Sequence, residues 1–311
     1  MKYETAGDPI SGLKWTRKTT EKIADELESI GIKVSSNTAG KLLKKMGFSL
    51  RVNRKKIALG SKKKSQDQEN RNRQFMYISE LRESFAQKGY PSISVDTKKK
   101  ELIGNFKNPG SAYGREPQAV NDHDFASYSE GKGIPYGVYD TQANQGTVFI
   151  GTTFDTAAFA VESIEKWWRK EGQRRYPHCK SILILADGGG SNGSRSRSWK
   201  LGIQEKLSDR HGLEVTVAHY PPGTSKWNPI EHRLFAEISK NWAGIPLVNY
   251  ETMLKYIRST KTKTGLKIKA HLVRKKYKKG NKVPDEQMSQ IQIDKHDTLP
   301  DWNYTITPRK M

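Results

Sequence analysis

The stretch that most limits what this chain can fold into is S-I-L-I-L-A-D-G-G-G-S-N-G, residues 181–193. Five successive apolar residues, Ile182 to Ala186, leave no polar face, which a strand covered on both sides tolerates and a surface strand does not. A strand of that kind implies an α/β architecture, a sheet with helices on both faces. It ends in Asp187, at the carboxyl end where open α/β sheets carry their chemistry, and three glycines then turn the backbone away. An Asp-Gly pair after a strand is also the ordinary sequence of a turn, so Asp187 alone defines no site.

Two further acids stand in comparable places. In S-I-S-V-D-T, Ile93 and Val95 alternate with Ser94 and Asp96, which puts a carboxylate on a second strand, although a half-exposed strand would carry such a residue to solvent. In H-Y-P-P-G-T-S-K-W-N-P-I-E-H-R-L-F, Asn228 suits an N-cap and Pro229 the first helical position. Glu231 then falls at the third, an arrangement akin to a capping box. Yet Glu231 also shares its helical face with Leu234, Phe235 and Ile238, and a carboxylate on a buried stripe is costly unless paired or bound to metal. Asp140 reads most simply as a loop residue, and N-D-H-D at 121–124 as a turn-forming loop. Asp96, Asp187 and Glu231, converging at one sheet edge, can hold two Mg²⁺ or Mn²⁺ ions in the geometry of in-line phosphoryl displacement.

Charge indicates the partner. The 311 residues carry 55 Lys and Arg against 33 Asp and Glu, a net +22, which favours a polyanion and by default nucleic acid. No apolar run approaches the roughly 20 residues of a spanning helix and no signal-peptide pattern opens the chain, so a cytoplasmic, nucleoid-associated protein without membrane contact is expected. The single cysteine, Cys179, excludes an internal disulfide framework and a Cys-cluster zinc site.

The basic residues are clustered. Ile23, Leu27 and Ile30 mark a helix ended by Gly31, and Ser36 suits the N-cap of a second, with Leu42, Leu43 and Met46 apolar and Gly47 as its stop. The pair reads as a helix-turn-helix or as a plain helical hairpin. In the first reading Asn37, Thr38 and Lys41 meet base edges. From Lys41 to Lys64 there are ten basic residues and no acid, so Lys44, Lys45, Arg54, Lys55 and Lys56 are phosphate-contact candidates, with F-S-L-R-V as a wing strand. From Lys261 to Lys282 ten more occur without an acid, including Arg274 and Lys275. There T-G-L-K-I-K-A-H-L alternates like a strand with one face toward phosphates or solvent. Arg195, Arg197, Lys226 and His232 complete the candidate DNA contacts. The expected domains are 1–65 (helix-turn-helix or winged helix), 66–90 (linker helix through Phe75, Ile78, Leu81 and Phe85), 91–257 (catalytic) and 258–311 (basic extension, with D-W-N-Y-T-I-T-P as a terminal strand).

On D-P-I-S-G-L-K-W-T, S-V-D-T-K-K-K-E-L-I-G, L-A-D-G-G-G-S-N-G-S-R, H-Y-P-P-G-T-S-K-W-N-P-I-E-H-R-L-F and D-W-N-Y-T-I-T-P the chain resembles the DDE transposases of bacterial insertion sequences, in detail the ISAzo-thirteen family. The resemblance implies an RNase H-like mixed sheet with Asp96, Asp187 and Glu231 as the metal-binding triad. It also implies cleavage at transposon ends and attack of the freed 3′-hydroxyl on target DNA. Two ends must meet, so a homo-oligomer on DNA is expected. The family's further helical segment upstream of D-P-I-S-G-L-K-W-T makes a truncated, catalytically silent DNA-binding remnant the alternative. A nucleotide-binding enzyme built on G-G-G-S-N-G fits poorly, because neither the P-loop nor the dinucleotide glycine pattern is present.

Overall fold

The computed structural model describes residues 5–7, 14–16, 18–50, 64–224 and 227–309. The chain divides into two compact units, Met1–Ser61 and Lys62–Met311.

In the first unit β1 (Thr5–Gly7) pairs antiparallel with β2 (Lys14–Thr16). Helix α1 spans Thr20–Ser29 and α2 Ser36–Lys45. The hydroxyl of Thr19 caps α1, accepting from Lys22 N at 3.3 Å. Ser35 rather than Ser36 caps α2, accepting from Thr38 N at 3.2 Å, because Ser36 already has helical backbone. Gly31 and Gly47 follow the two helices at φ +85° and +82°, left-handed positions that a side chain disfavours. The interface is smaller than the apolar pattern implies. Ile23, Ala24 and Ala39 are buried, whereas Leu42 is exposed and Met46 is 70% exposed. Phe48–Leu50 form no strand, and the rest of the expected wing, with Arg54, Lys55 and Lys56, lies outside the described residues.

In the second unit the long helix α3 (Lys64–Gln87) leads into the sheet. Its strands are β3 (Ser92–Thr97), β4 (Glu101–Ile103), β5 (Gly131–Asp140), β6 (Gln145–Gly151), β7 (Ser181–Asp187), β8 (Glu214–Tyr220), β9 (Lys267–Val273), β10 (Ile293–Lys295) and β11 (Asn303–Ile306). Their order is β10-β11-β8-β7-β3-β5-β6-β9, with β4 on β5. The central strands β3, β7 and β8 run parallel, while β5 is antiparallel to β3 and to β6. This is a mixed α/β sheet flanked by helices.

Strand β7 is covered on both faces, as its sequence requires. Ile182, Ile184 and Ala186 pack into a core with Phe159, Ile164 and Trp167 of α4 (Ala157–Trp167) and Trp199 of α6 (Arg197–Ile203). A π-helical turn and the short α5 (Gln173–Arg175) extend α4 toward β7. On the other face Leu183 and Leu185 meet Ile78 and Phe85 of α3, so this helix covers the sheet as well as joining two segments. Beyond it, α7 (Ala236–Asn241) with the turn before it and α8 (Tyr250–Ser259) cover β5 and β6 through Leu234, Phe235, Ile238 and Met253.

Three strands of the expected basic extension are woven into the sheet. Strand β9 lies parallel to β6, and β11 lies antiparallel to β8 beyond the short helix α9 (Asp285–Ser289). Asp140 is not a loop residue: it ends β5, is fully buried, and bonds Arg175 Nη1 at 2.7 Å and the Tyr176 hydroxyl at 3.0 Å.

Candidate active site

Asp96 and Asp187 reach the same end of the sheet because β3 and β7 are parallel neighbours, with Val95 opposite Ala186. Asp187 is the last residue of β7. Asp96 is 9% exposed, not the solvent-facing strand residue its alternation permits, and its Oδ1 accepts from Thr97 N at 2.7 Å.

Glu231 arrives by a different local route from a capping box. The Asn228 side chain does not cap its own helix. It is fully buried and points across to β3, accepting from the Ser94 hydroxyl and donating to Val95 O at 3.4 Å. Ser94 Oγ in turn accepts from Ile230 N at 3.0 Å, so a strand hydroxyl two residues before Asp96 fastens the helix start. Glu231 N bonds the Asn228 carbonyl at 3.0 Å. The helix opens as a π-helical turn, Glu231–Phe235, before settling into α7, a distortion common at functional sites. Gly137, opposite Asp96 in β5, makes room for this start: a Cβ there would stand 2.7 Å from Ile230 Cδ1 and from Phe235.

The three carboxylates feel one another. Burial, then the charge of Asp187, then a hydrogen bond with Glu231 push Asp96 up to about 8, against the pull of Thr97 N–H. Burial raises Glu231, which is eased downward by accepting a hydrogen bond from Asp96 and by the Lys98 charge. Burial also raises Asp187, with Gly189 N–H opposing and Asp155 adding. At neutral pH these surroundings favour the protonated form of the Asp96 carboxyl. Among the described residues no three His, Cys, Asp or Glu side chains are placed so that they could hold a metal ion as they stand. The donor type suits a hard divalent cation, since all three side chains offer carboxylate oxygens, and the burial that raises them disfavours their charge until a cation offsets it.

A fourth acid, Asp155, stands beside them. It precedes the Thr156 cap of α4, is 13% exposed, accepts from Thr97 Oγ1 at 3.1 Å and lies 3.5 Å from Lys100 Nζ. Nothing in T-T-F-D-T marks it, because its partners lie on β3 and just beyond. The glycine loop after Asp187 is ordered by Asn192, which accepts from the Tyr136 hydroxyl at 2.8 Å, and by Ser191, 3.4 Å from Thr97 Oγ1.

Candidate DNA contacts divide by their partners. Asn37, Thr38, Lys41, Lys44 and Lys45 are exposed on α2, and Arg195 and His232 are exposed at the carboxylate end. Arg197 pairs with Asp285 at 2.6 Å and Lys275 with Glu162 at 2.7 Å, both from exposed side chains, while Arg274 is exposed and 3.7 Å from Glu251. Lys226 lies outside the described residues. Asp122, His123 and Asp124 are exposed on a loop.

The Asp96 proton gives a stability test. The folded chain keeps a proton that the unfolded chain has lost above pH 3.8, so unfolding becomes easier as pH rises toward about 8. Histidines 219, 271 and 296, all lowered by burial, act in the opposite sense but only below their ordinary 6.5. Between pH 6.5 and 7.5, in EDTA, the chain is expected to lose up to about 1.4 kcal/mol per pH unit in urea denaturation. Asp96→Asn should flatten that slope, and an unchanged slope would assign it elsewhere.

A family model described as the Rhodopirellula transposase DDE domain matches residues 1–308. No curated protein matches. Among solved structures the chain is similar to the Mos1 transposase paired-end complex with left transposon end, with a TM-score of 0.45, 18% identity and 77% of this chain covered. It is likewise similar to the Mos1 mariner paired end complex with Mn, with a TM-score of 0.44, 19% identity and the same share of this chain. The chain spans 65% of the length of each of those two proteins.

Proposed function

The chain belongs to the Rhodopirellula transposase DDE domain family, and we propose that it is a DNA transposase that cleaves the ends of its element and joins the freed 3′-hydroxyl to target DNA. The observation that supports this reading is that Asp96 and Asp187 stand at the same end of the parallel strands β3 and β7, with Glu231 on the helix that Ser94 of β3 fastens, and that burial raises all three carboxyls.

In this reading the Lys62–Met311 unit contains an RNase H-like catalytic core, and Asp96, Asp187 and Glu231 hold two Mg²⁺ or Mn²⁺ ions. Bound there, the ions would supply activation of the attacking oxygen and neutralisation of charge on the phosphate and the leaving 3′ oxygen. The protein's own groups do the rest. Thr97 N–H orients the Asp96 carboxylate, and a bound cation would favour its charged form. Ser94 and Asn228 fix the start of the helix that carries Glu231. Gly188–Gly190 keep side chains off the approach to Asp187, so that a phosphate backbone can come close. Arg195 and His232 meet phosphates at the rim.

The net +22 charge supports DNA as partner. We assign end recognition to residues 1–65, with α2 as recognition helix, residues 66–90 as the segment leading into the core, 91–257 as its catalytic part and 258–311 as its basic carboxyl-terminal part. Two ends require a homo-oligomer on DNA. Among the described residues no helix is long and apolar enough to cross a membrane, and action on DNA places the protein in the cytoplasm, with the nucleoid.

The test is incubation of the full chain with DNA carrying the element's ends, in Mg²⁺ and in Mn²⁺. New 3′-hydroxyl ends and joined products are expected; retarded DNA without nicking in either metal would overturn the reading in favour of a silent DNA-binding protein. A second outcome concerns α2. Replacing Lys41, Lys44 and Lys45 together with Ala should lower the slope of log affinity against log salt by about 2 to 3 if each meets a phosphate. Anisotropy titrations on end DNA between 50 and 200 mM salt read it, and an unchanged slope would remove α2 from the interface.

A further inference from the structure

His219 lies on β8 beside the end of β7, with Ala186 opposite it and Tyr220 opposite Asp187. It is fully buried, and every polar atom it has is engaged. Its N–H donates to Trp302 O at 3.0 Å, and its carbonyl accepts from Gln74 Nε2 at 2.8 Å. The ring spans from Asp187 to the carboxyl-terminal strand: Nδ1 is 3.0 Å from the Asp187 carbonyl oxygen, and Nε2 is 3.4 Å from the Tyr304 hydroxyl. Trp199 Nε1 donates to that hydroxyl at 3.0 Å.

The direction of this chain follows from its ends. A carbonyl only accepts and an indole N–H only donates, so Nδ1 carries the ring hydrogen and Nε2 accepts from Tyr304 O–H. Trp199, Tyr304 and His219 thus form a one-way series that ends on the backbone of Asp187. The next three residues are glycines. A Cβ on Gly188 or Gly189 would meet nothing closer than 3.9 Å, and Gly190 sits at φ +60°. Gly188 and Gly189 thus offer no side-chain packing of their own next to Asp187, and a hydrogen bond to the Asp187 carbonyl fixes the peptide plane that aims the carboxylate.

We propose that His219 is a positioning residue for Asp187, and that Tyr304 on β11 and Trp199 on α6 extend this support, making the carboxyl-terminal strand part of the active-site apparatus. The proposal rests on the reading of Asp187 as a metal ligand. Groups that orient a ligand characteristically alter metal affinity when removed.

The test measures Mn²⁺ binding to the full chain, without DNA, from the electron paramagnetic resonance signal of free Mn²⁺. His219→Leu is expected to weaken binding by about tenfold or more. His219→Asn, whose amide nitrogen reaches the place of Nδ1, should restore most of it, whereas His219→Gln, whose amide reaches the place of Nε2, should not. Tyr304→Phe should weaken binding less than His219→Leu does. If Asp187→Asn binds Mn²⁺ as wild type does, the triad reading fails and the proposal falls with it. If Asp187→Asn loses binding while the His219 variants keep it, His219 alone loses its role. Should His219→Leu not fold, equal affinities for the Asn and Gln variants would still overturn the proposal.

Discussion

Asp187→Asn is expected to reduce metal-dependent cleavage of end DNA by about 10³-fold or more, equivalent to roughly 4 kcal/mol of transition-state stabilisation. The substitution keeps the shape of the side chain and removes the charge that a divalent cation needs. Asp96→Asn and Glu231→Gln should fall as far, because three ligands that share two cations act as a unit and their losses do not add. Folding separates this from simple damage. Burial raises all three carboxyls, so neutralising one in metal-free protein relieves a cost, and the melting temperature in EDTA should stay level or rise. A single-turnover nicking assay paired with thermal melts decides it. Retained cleavage in any one variant would remove that residue from the triad, and a lowered melting temperature would mark it as structural.

The largest loss of stability is expected from Arg175→Ala. Asp140 has no exposed surface, and Arg175 Nη1 is its charge partner at 2.7 Å. The Tyr176 hydroxyl and the N–H groups of Gln142 and Ala143 also bond it, at 3.0, 3.2 and 3.0 Å. These neutral donors satisfy oxygen lone pairs without balancing the charge. Removing one partner of a buried ion pair costs about 3 to 5 kcal/mol. Chemical denaturation of Arg175→Ala should show a loss in that range, and the double variant Asp140→Asn with Arg175→Ala should recover part of it. A loss below about 1 kcal/mol for the single variant would mean that Asp140 is carried by its neutral donors.

The parts of the fold that were legible are those in which one segment's own pattern carries the information. Ile182 to Ala186 lacks a polar position, so a strand covered on both faces was its only economical use, and α3, α4 and α6 supply the covers. Alternation in S-I-S-V-D-T put Asp96 opposite in sense to Ile93 and Val95, which do enter the core. Gly31 and Gly47 ended α1 and α2 because a left-handed backbone position has a residue preference of its own.

What escaped the sequence was made between distant segments. The N-P-I-E segment invited a capping box, since Asn228 and Glu231 have the right spacing. Ser94, 134 residues away from Asn228, takes the side chain instead. Asp140 looked like a loop residue because its Arg175 lies on another element, and the same holds for Asp155 and Thr97, 58 residues apart. Leu42 and Met46 have helical spacing, yet both are exposed, because periodicity records that a face is apolar without saying what covers it.

The sequence by itself determined the α/β class, the central strand and the family resemblance and put forward the three acids, all of which follow from residue type and short-range spacing. Tertiary structure alone decided how the start of the Glu231 helix is fastened to β3, that Asp155 bonds Thr97 beside Asp96 and that His219 links the Asp187 carbonyl to Tyr304 of β11. Those features depend on hydrogen bonds and charges across tens to hundreds of residues. Their energies arise only where the folded chain removes water, and no local pattern encodes them.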